Sequence, residues 1–247
     1  MELIITFGLW WGVVFVIAAL LHVTRLARVD LGWLGFAIIL HGLYVLAVNA
    51  SLPFVDFERW FGELHWNWDG KLAAILLSLI MLIVISLVRK KVSFLDAGLT
   101  TRQTPGSVLP AAIITFLLVA LTVGLEIIAA DGADTSLERL LFQATMPGLD
   151  EEIYFRGVLL LAMSLSVRSA GVTLGGGLIS WAGILVTILF GLGHSLFWQG
   201  GAMAFSGVFF GYTAILGFGL LWLRERTGSI VFPLVAHNLI NFSGSFF

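Results

Sequence analysis

Cysteine is absent from this chain of 247 residues, and charged residues are scarce. Without cysteine there can be no disulfide, no thiolate nucleophile, no iron–sulfur cluster and no thiolate zinc site. Charged residues make up 11% of the sequence, and hydrophobic residues make up 59%. A soluble domain carries about 25% charged residues, so this composition excludes a soluble globular protein. Lys and Arg form no block that would neutralise phosphates, so we expect no nucleic-acid partner.

Apolar stretches of about twenty residues recur along the chain, and each could cross a hydrocarbon core of about 30 Å as a helix. We therefore predict an all-α fold, a polytopic membrane helical bundle with about eight transmembrane helices in a single domain, 1–247. Most Lys and Arg lie in loops on one side, which predicts that both termini are outside. The outer loop, 53–71, contains three tryptophans and should lie at the membrane interface. The predicted spans are 3–22, 32–51, 71–88, 108–130, 151–167, 178–197, 203–223 and 229–246.

The fifth predicted span follows two residues that normally end a helix. Pro147 and Gly148 should stop any preceding helix, and Asp150 is a typical N-cap residue. This predicts a helix over 151–167.

Three ionisable residues stand at the start of this span. Glu152 and Arg156 are four residues apart, so they share a helix face and should form an ion pair. Glu151 lies on a different face of the helix from this pair. It also lies in the predicted first turn, where the helix dipole favours a carboxylate. It is therefore a candidate general base. The alternative is that both acids only cap the helix and that Arg156 neutralises them.

Two later spans carry polar residues that could meet this carboxylate. His194 ends the sixth span, and His237 and Asn241 lie one turn apart on the last span. The predicted topology brings Glu151 and these residues to a similar depth. Such a set could hydrolyse a bond, since it offers a base for water and donors for an oxyanion. Taken singly, each residue could equally be an interfacial, packed or helix-pairing side chain.

These residues, in this order, resemble the three motifs of the CAAX prenyl protease and bacteriocin-processing (CPBP, or ABI) family of intramembrane proteases. The matching sequences are Glu-Glu-x-x-x-Arg at 151–156, Phe-x-x-x-His at 190–194 and His-x-x-x-Asn at 237–241, and an Arg-x-Gly-Ser-Ile…Pro run at 226–233 is also similar. The motifs fall within 147–245, and the first four spans match only as hydrophobic helices.

The resemblance implies an eight-helix membrane protein that cleaves peptide bonds near the C-terminal part of a membrane-associated substrate, which could be prenylated. Proteases of the CAAX type act on cytosolic tails, whereas the charge bias here places the motifs toward the outer half, so a CAAX substrate does not follow. By the resemblance, Glu151 activates water, His194 holds and polarises it, His237 and Asn241 stabilise the oxyanion, and Glu152, Arg156 and Phe190 are supporting residues.

No cofactor is expected, because the His-Glu-x-x-His spacing of many zinc proteases is absent. The alternative is a zinc-dependent protease. In that case Glu151, His194 and His237 would be the ligands, with an open fourth position.

Two other functions remain open from the sequence. One is a non-catalytic scaffold or immunity protein on the same fold, because a fold does not guarantee activity. The other is a transporter, although no inverted repeat is visible. The expected partners are membrane lipid and a peptide or protein substrate, either lipidated or unmodified. The expected location is the cytoplasmic membrane of a prokaryote, as a multi-pass protein.

Overall fold

The structure is a computed structural model that describes residues 1–49, 63–129 and 132–247, and it is mostly helical. Short two-stranded antiparallel sheets, which the all-α prediction did not include, accompany the helices. In chain order the elements are α1 (Glu2–Val23), β1 (Arg28–Val29), α2 (Leu31–Val48), α3 (Trp68–Val88), α4 (Val108–Ala129), α5 (Leu137–Glu151), a π-helix (Glu152–Leu159), α6 (Leu160–Ser166), β2 (Val167–Arg168), β3 (Val172–Leu174), β4 (Gly177–Ile179), α7 (Trp181–Ser195), β5 (Leu196–Gln199), β6 (Ala202–Phe205), α8 (Gly207–Thr227), α9 (Val231–Ser243) and a final 3₁₀ turn (Gly244–Phe246).

Five helices in the described part of the chain are long and apolar enough to cross a membrane: α1, α2, α3, α4 and α8. The structure therefore supports a membrane bundle but not the predicted count of about eight spans. The sixth and eighth predicted spans became helices of only 15 and 13 residues, α7 and α9. At 1.5 Å per residue these reach about 20 Å, short of the hydrocarbon thickness.

The fifth predicted span differs most from its prediction. Helix α5 begins at Leu137 and runs through Pro147 and Gly148 into the π-helix, so these residues do not end a helix and Asp150 is not an N-cap. Proline is tolerated inside a membrane helix where a neighbouring helix supplies hydrogen-bond partners. Here the backbone N–H of Gly148 donates to Asn238 Oδ1 on α9, at 2.7 Å.

The absence of a side chain at Gly148 lets α5 and α9 approach closely. A Cβ at this position would lie 2.5 Å from the carbonyl oxygen of Leu234 and 2.6 Å from Asn238 Oδ1. Since α9 carries His237, this contact sets the distance between His237 and the end of α5.

The outer loop, where it is described, is fixed to the first turn of α5. Glu138 Oε1 accepts hydrogen bonds from the backbone N–H groups of His65 and Trp66, at 2.9 and 3.0 Å, and from Trp68 Nε1, at 3.2 Å. Desolvation opposes ionisation, but these donors outweigh it and hold the pKa of the Glu138 carboxyl below its ordinary value. Trp60, which the interface prediction included, lies outside the described residues.

The run at 226–233 joins the end of α8 to the start of α9, and it forms hydrogen bonds with the loop that precedes α4. Thr104 donates from its backbone N–H to the carbonyl oxygen of Thr227, and Ser229 Oγ donates to the carbonyl oxygen of Thr100. Gly228 ends α8 in the left-handed conformation, with φ of 72°. These residues are therefore structural in this chain, because they connect the loop between α3 and α4 with the turn between α8 and α9.

Candidate active site

The three helical motifs converge around the carboxylate of Glu151, at the C-terminal end of α5. Glu151 Oε2 lies 4.0 Å from His194 Nε2 on α7 and 3.9 Å from His237 Nε2 on α9. Within the described structure this oxygen is buried and accepts no hydrogen bond. A buried carboxylate oxygen without a partner is costly, so a ligand or water that donates a hydrogen bond to it would relieve that cost.

Glu152 and Arg156 form the predicted ion pair inside the π-helix. Arg156 Nη1 lies 2.8 Å from Glu152 Oε1, and both side chains are completely buried. The same carboxylate oxygen lies 2.7 Å from His237 Nδ1, and Arg156 Nη2 donates to the carbonyl oxygen of Gly217 at 3.0 Å. Glu152 therefore orients His237, and Arg156 fixes Glu152 against α8.

These contacts set the tautomer of His237. A carboxylate only accepts hydrogen bonds, so Nδ1 carries a proton and donates it to Glu152. In neutral His237, Nε2 then presents a lone pair toward Glu151. If Nε2 takes up a proton, the carboxylate of Glu152 stabilises the resulting cation.

His194 is oriented by its own helix. Its Nδ1 lies 2.7 Å from the carbonyl oxygen of Phe190, and a carbonyl can only accept, so Nε2 of neutral His194 also presents a lone pair. The Phe190 ring packs against His194, with centroids 4.6 Å apart, and Arg156 lies 4.5 Å from the ring centroid on a face of Phe190. Phe190 thus connects the ion pair with the histidine.

Asn241 lies one turn beyond His237 and is half-buried. In the described part of the chain its side chain makes no hydrogen bond to Glu151 or to either histidine. The neighbouring amide, Asn238, accepts a hydrogen bond from the backbone N–H of Gly148. Sequence reasoning missed Asn238 because it treated Gly148 as a helix terminator.

Sequence reasoning also missed Lys71, which it placed in the outer loop. Lys71 lies in the first turn of α3 and is mostly buried. Its Nζ contacts Glu151 Oε1 at 2.7 Å and Asp150 Oδ2 at 2.8 Å. Asp150 Oδ2 also accepts a hydrogen bond from Tyr44 Oη at 3.0 Å. The only signal in the sequence was that Lys71 is the first residue of the predicted span 71–88. A charge at that position lies at the membrane boundary and not farther out in the loop.

A cavity of about 510 Å³ opens beside this cluster. Glu151, His194 and Lys71 line it on the side of the cluster, and Glu2 and His41 are further ionisable residues of its lining. The rest of the wall, from α1, α2 and β5, is mostly apolar. Strand β5 is held on α1, because Trp10 Nε1 donates to the carbonyl oxygen of Leu196 at 2.7 Å. A cavity of this size and polarity is typical of small-ligand and substrate sites.

No group of three or more His, Asp or Glu in the described residues is arranged to hold a metal ion. Ligands at 2.0–2.2 Å from a tetrahedral zinc lie roughly 3.3–3.5 Å apart. Glu151 Oε2 is farther than this from both histidine nitrogens. The ammonium of Lys71 also contacts the same carboxylate. These separations are therefore longer than those between the ligands of a tetrahedral zinc ion.

Residues 134–243 match the family described as type II CAAX prenyl endopeptidase Rce1-like. The matched region contains α5 and every motif residue discussed above. This match confirms the predicted resemblance to the CAAX prenyl protease and CPBP family. No curated protein and no solved structure shows significant similarity to the chain.

Proposed function

We propose that this chain, a relative of the CAAX prenyl endopeptidases, is an intramembrane endopeptidase in which Glu151 activates the attacking water. The observation that carries the proposal is Glu151 Oε2, which is buried and unpartnered in the described structure and faces the Nε2 atoms of His194 and His237. The substrate would be a membrane-associated peptide or protein, lipidated or not, cleaved near its C-terminal part.

Water would bind between Glu151 and His194. A separation of 4.0 Å is too long for a direct hydrogen bond, and one water molecule can donate a hydrogen bond to each of the two atoms. Both Glu151 Oε2 and His194 Nε2 are acceptors, so each would take one water proton and leave an oxygen lone pair facing the cavity. Attack on the scissile carbonyl carbon transfers one water proton to Glu151, and that proton then passes to the leaving nitrogen as the C–N bond breaks.

His237 would stabilise the oxyanion in its protonated form. Neutral His237 has no proton on Nε2 to donate, because Nδ1 holds the proton that faces Glu152. Protonation at Nε2 makes it a donor, and the Glu152 carboxylate compensates the charge. Asn241 would be the second donor, and in the described structure its side chain makes no hydrogen bond to Glu151 or to either histidine.

The charge of the cluster supports this assignment. Asp150, Glu151 and Glu152 carry three negative charges, and Lys71 and Arg156 carry two positive charges. One additional proton on a histidine, or on the leaving amine, brings the sum to zero. Burial strengthens such electrostatic interactions, so the site stabilises a positive charge on a histidine that donates to the oxyanion, or on the leaving amine.

We propose that the reaction needs no metal. The spacing of the three donors and the contact between Lys71 and Glu151 both support this. The zinc-dependent alternative would use the same three side chains, and the two mechanisms differ in their response to chelation.

The test is a cleavage assay on protein purified in detergent, with a library of membrane peptides, prenylated and unmodified. Wild type should cleave, and Glu151→Gln should lose activity by at least 100-fold, because the amide cannot take the water proton. Activity should be unchanged by a strong chelator. A loss that added zinc restores would establish the zinc mechanism, and a fully active Glu151→Gln variant would rule out both.

The control variant is Glu225→Gln, since this partly buried glutamate lies on α8 and takes no part in the cluster. It should retain wild-type activity. Absence of cleavage by the wild type across the whole library would favour the scaffold or immunity alternative.

A further inference from the structure

We infer that Lys71 is a positioning residue that orients the carboxylate of Glu151 for water activation, and that Asp150 and Tyr44 hold Lys71 in place. The inference rests on the proposed function, since it assigns a role within that reaction. None of these three residues belongs to the motifs that predicted the site.

The first argument is the way the two oxygens of Glu151 are used. Oε1 is held by Lys71 Nζ at 2.7 Å, and Oε2 faces the two histidines. A glutamate side chain has three rotatable bonds, and its carboxylate can turn freely unless one oxygen is fixed. Lys71 fixes Oε1, so the remaining oxygen points to the place where water would bind.

The second argument is the support behind Lys71. Its ammonium also contacts Asp150 Oδ2 at 2.8 Å, and the side chain of Asp150 is fully buried. Tyr44 Oη donates to the same oxygen, and the Tyr44 ring stacks on Tyr154 with centroids 3.7 Å apart. The chain of contacts therefore runs from α2 through α5 to α3 and ends at Glu151, so three helices determine where the ammonium lies.

The third argument is the location. Lys71 and Glu151 both line the cavity of about 510 Å³, together with Tyr44. A lysine needed only to connect α3 with α5 could pair with Asp150 alone. The additional contact with Glu151 Oε1 places the Lys71 ammonium on the same carboxylate whose other oxygen, Oε2, is the proposed base.

The test measures kcat and KM separately for Lys71→Met, Lys71→Arg and the double variant Lys71→Met/Asp150→Asn. We expect kcat of Lys71→Met to fall about 100-fold with little change in KM, the usual effect of misplacing a reacting group by about 1 Å. Lys71→Arg keeps the charge and should recover much of this loss. Lys90→Met is the matched control, since Lys90 is exposed beyond the other end of α3, and it should behave as wild type.

The double variant separates positioning from stability. Lys71→Met alone leaves Asp150 buried and unpaired, which destabilises the fold. Removing both charges should restore thermal stability while kcat stays low, because Glu151 still lacks its support. Suppose that the wild type is active and that either Lys71→Met or the double variant has the kcat of the wild type. This inference is then wrong, and the proposed function stands. An inactive wild type would overturn the proposed function and this inference with it.

Discussion

Removal of Arg156 should be among the most damaging single changes to the stability of this protein. Its guanidinium is 1% exposed and pairs with Glu152, which is 0% exposed. Arg156→Met keeps most of the side-chain volume but leaves a buried carboxylate without its cation. Breaking a buried ion pair in this way costs on the order of 3–5 kcal/mol. Part of this cost should be recovered through His237, which still contacts Glu152 at 2.7 Å, so we expect a loss of about 3 kcal/mol.

The assay is unfolding in mixed detergent micelles, followed by circular dichroism. The double variant Glu152→Gln/Arg156→Met should be more stable than Arg156→Met, because it removes the unpaired charge as well as the cation. The control is Arg168→Met, whose ion pair with Asp30 is 3.8 Å long and exposed; it should change stability by less than about 1 kcal/mol. An Arg156→Met variant as stable as this control would refute the conclusion that the pair holds the π-helix against α8.

Three further predictions concern the contacts that position the site. Gly148→Ala should displace α9 and reduce both stability and cleavage, because the new Cβ would lie 2.6 Å from Asn238 Oδ1; unfolding and cleavage assays check this. Asn238→Leu should cost about 1–3 kcal/mol in the same unfolding assay, because it leaves the buried N–H of Gly148 without a partner. Trp10→Phe removes the hydrogen bond to the carbonyl oxygen of Leu196 and should expose the β5–β6 hairpin to limited proteolysis, with little effect on overall stability.

The sequence determined the class of protein and the order of its chemical motifs. Hydropathy alone requires apolar helices, because the hydrocarbon core admits few other backbone structures. The spacing of Glu152 and Arg156 determined their pairing, because residues four apart share a helix face even in the wider π-helix. Local patterns of this kind depend only on neighbouring residues, so they can be read from the chain.

Tertiary structure decided which side chains surround Glu151. Lys71 lies eighty positions before Glu151, and no local pattern connects two such residues. Helix α5 continues through Pro147 because α9 packs against Gly148 and supplies a hydrogen-bond acceptor for its N–H. The expectation that proline ends a helix considers only the local sequence, so it cannot take this contact into account. Contacts between distant segments decided these features, and such contacts form only when the helices assemble.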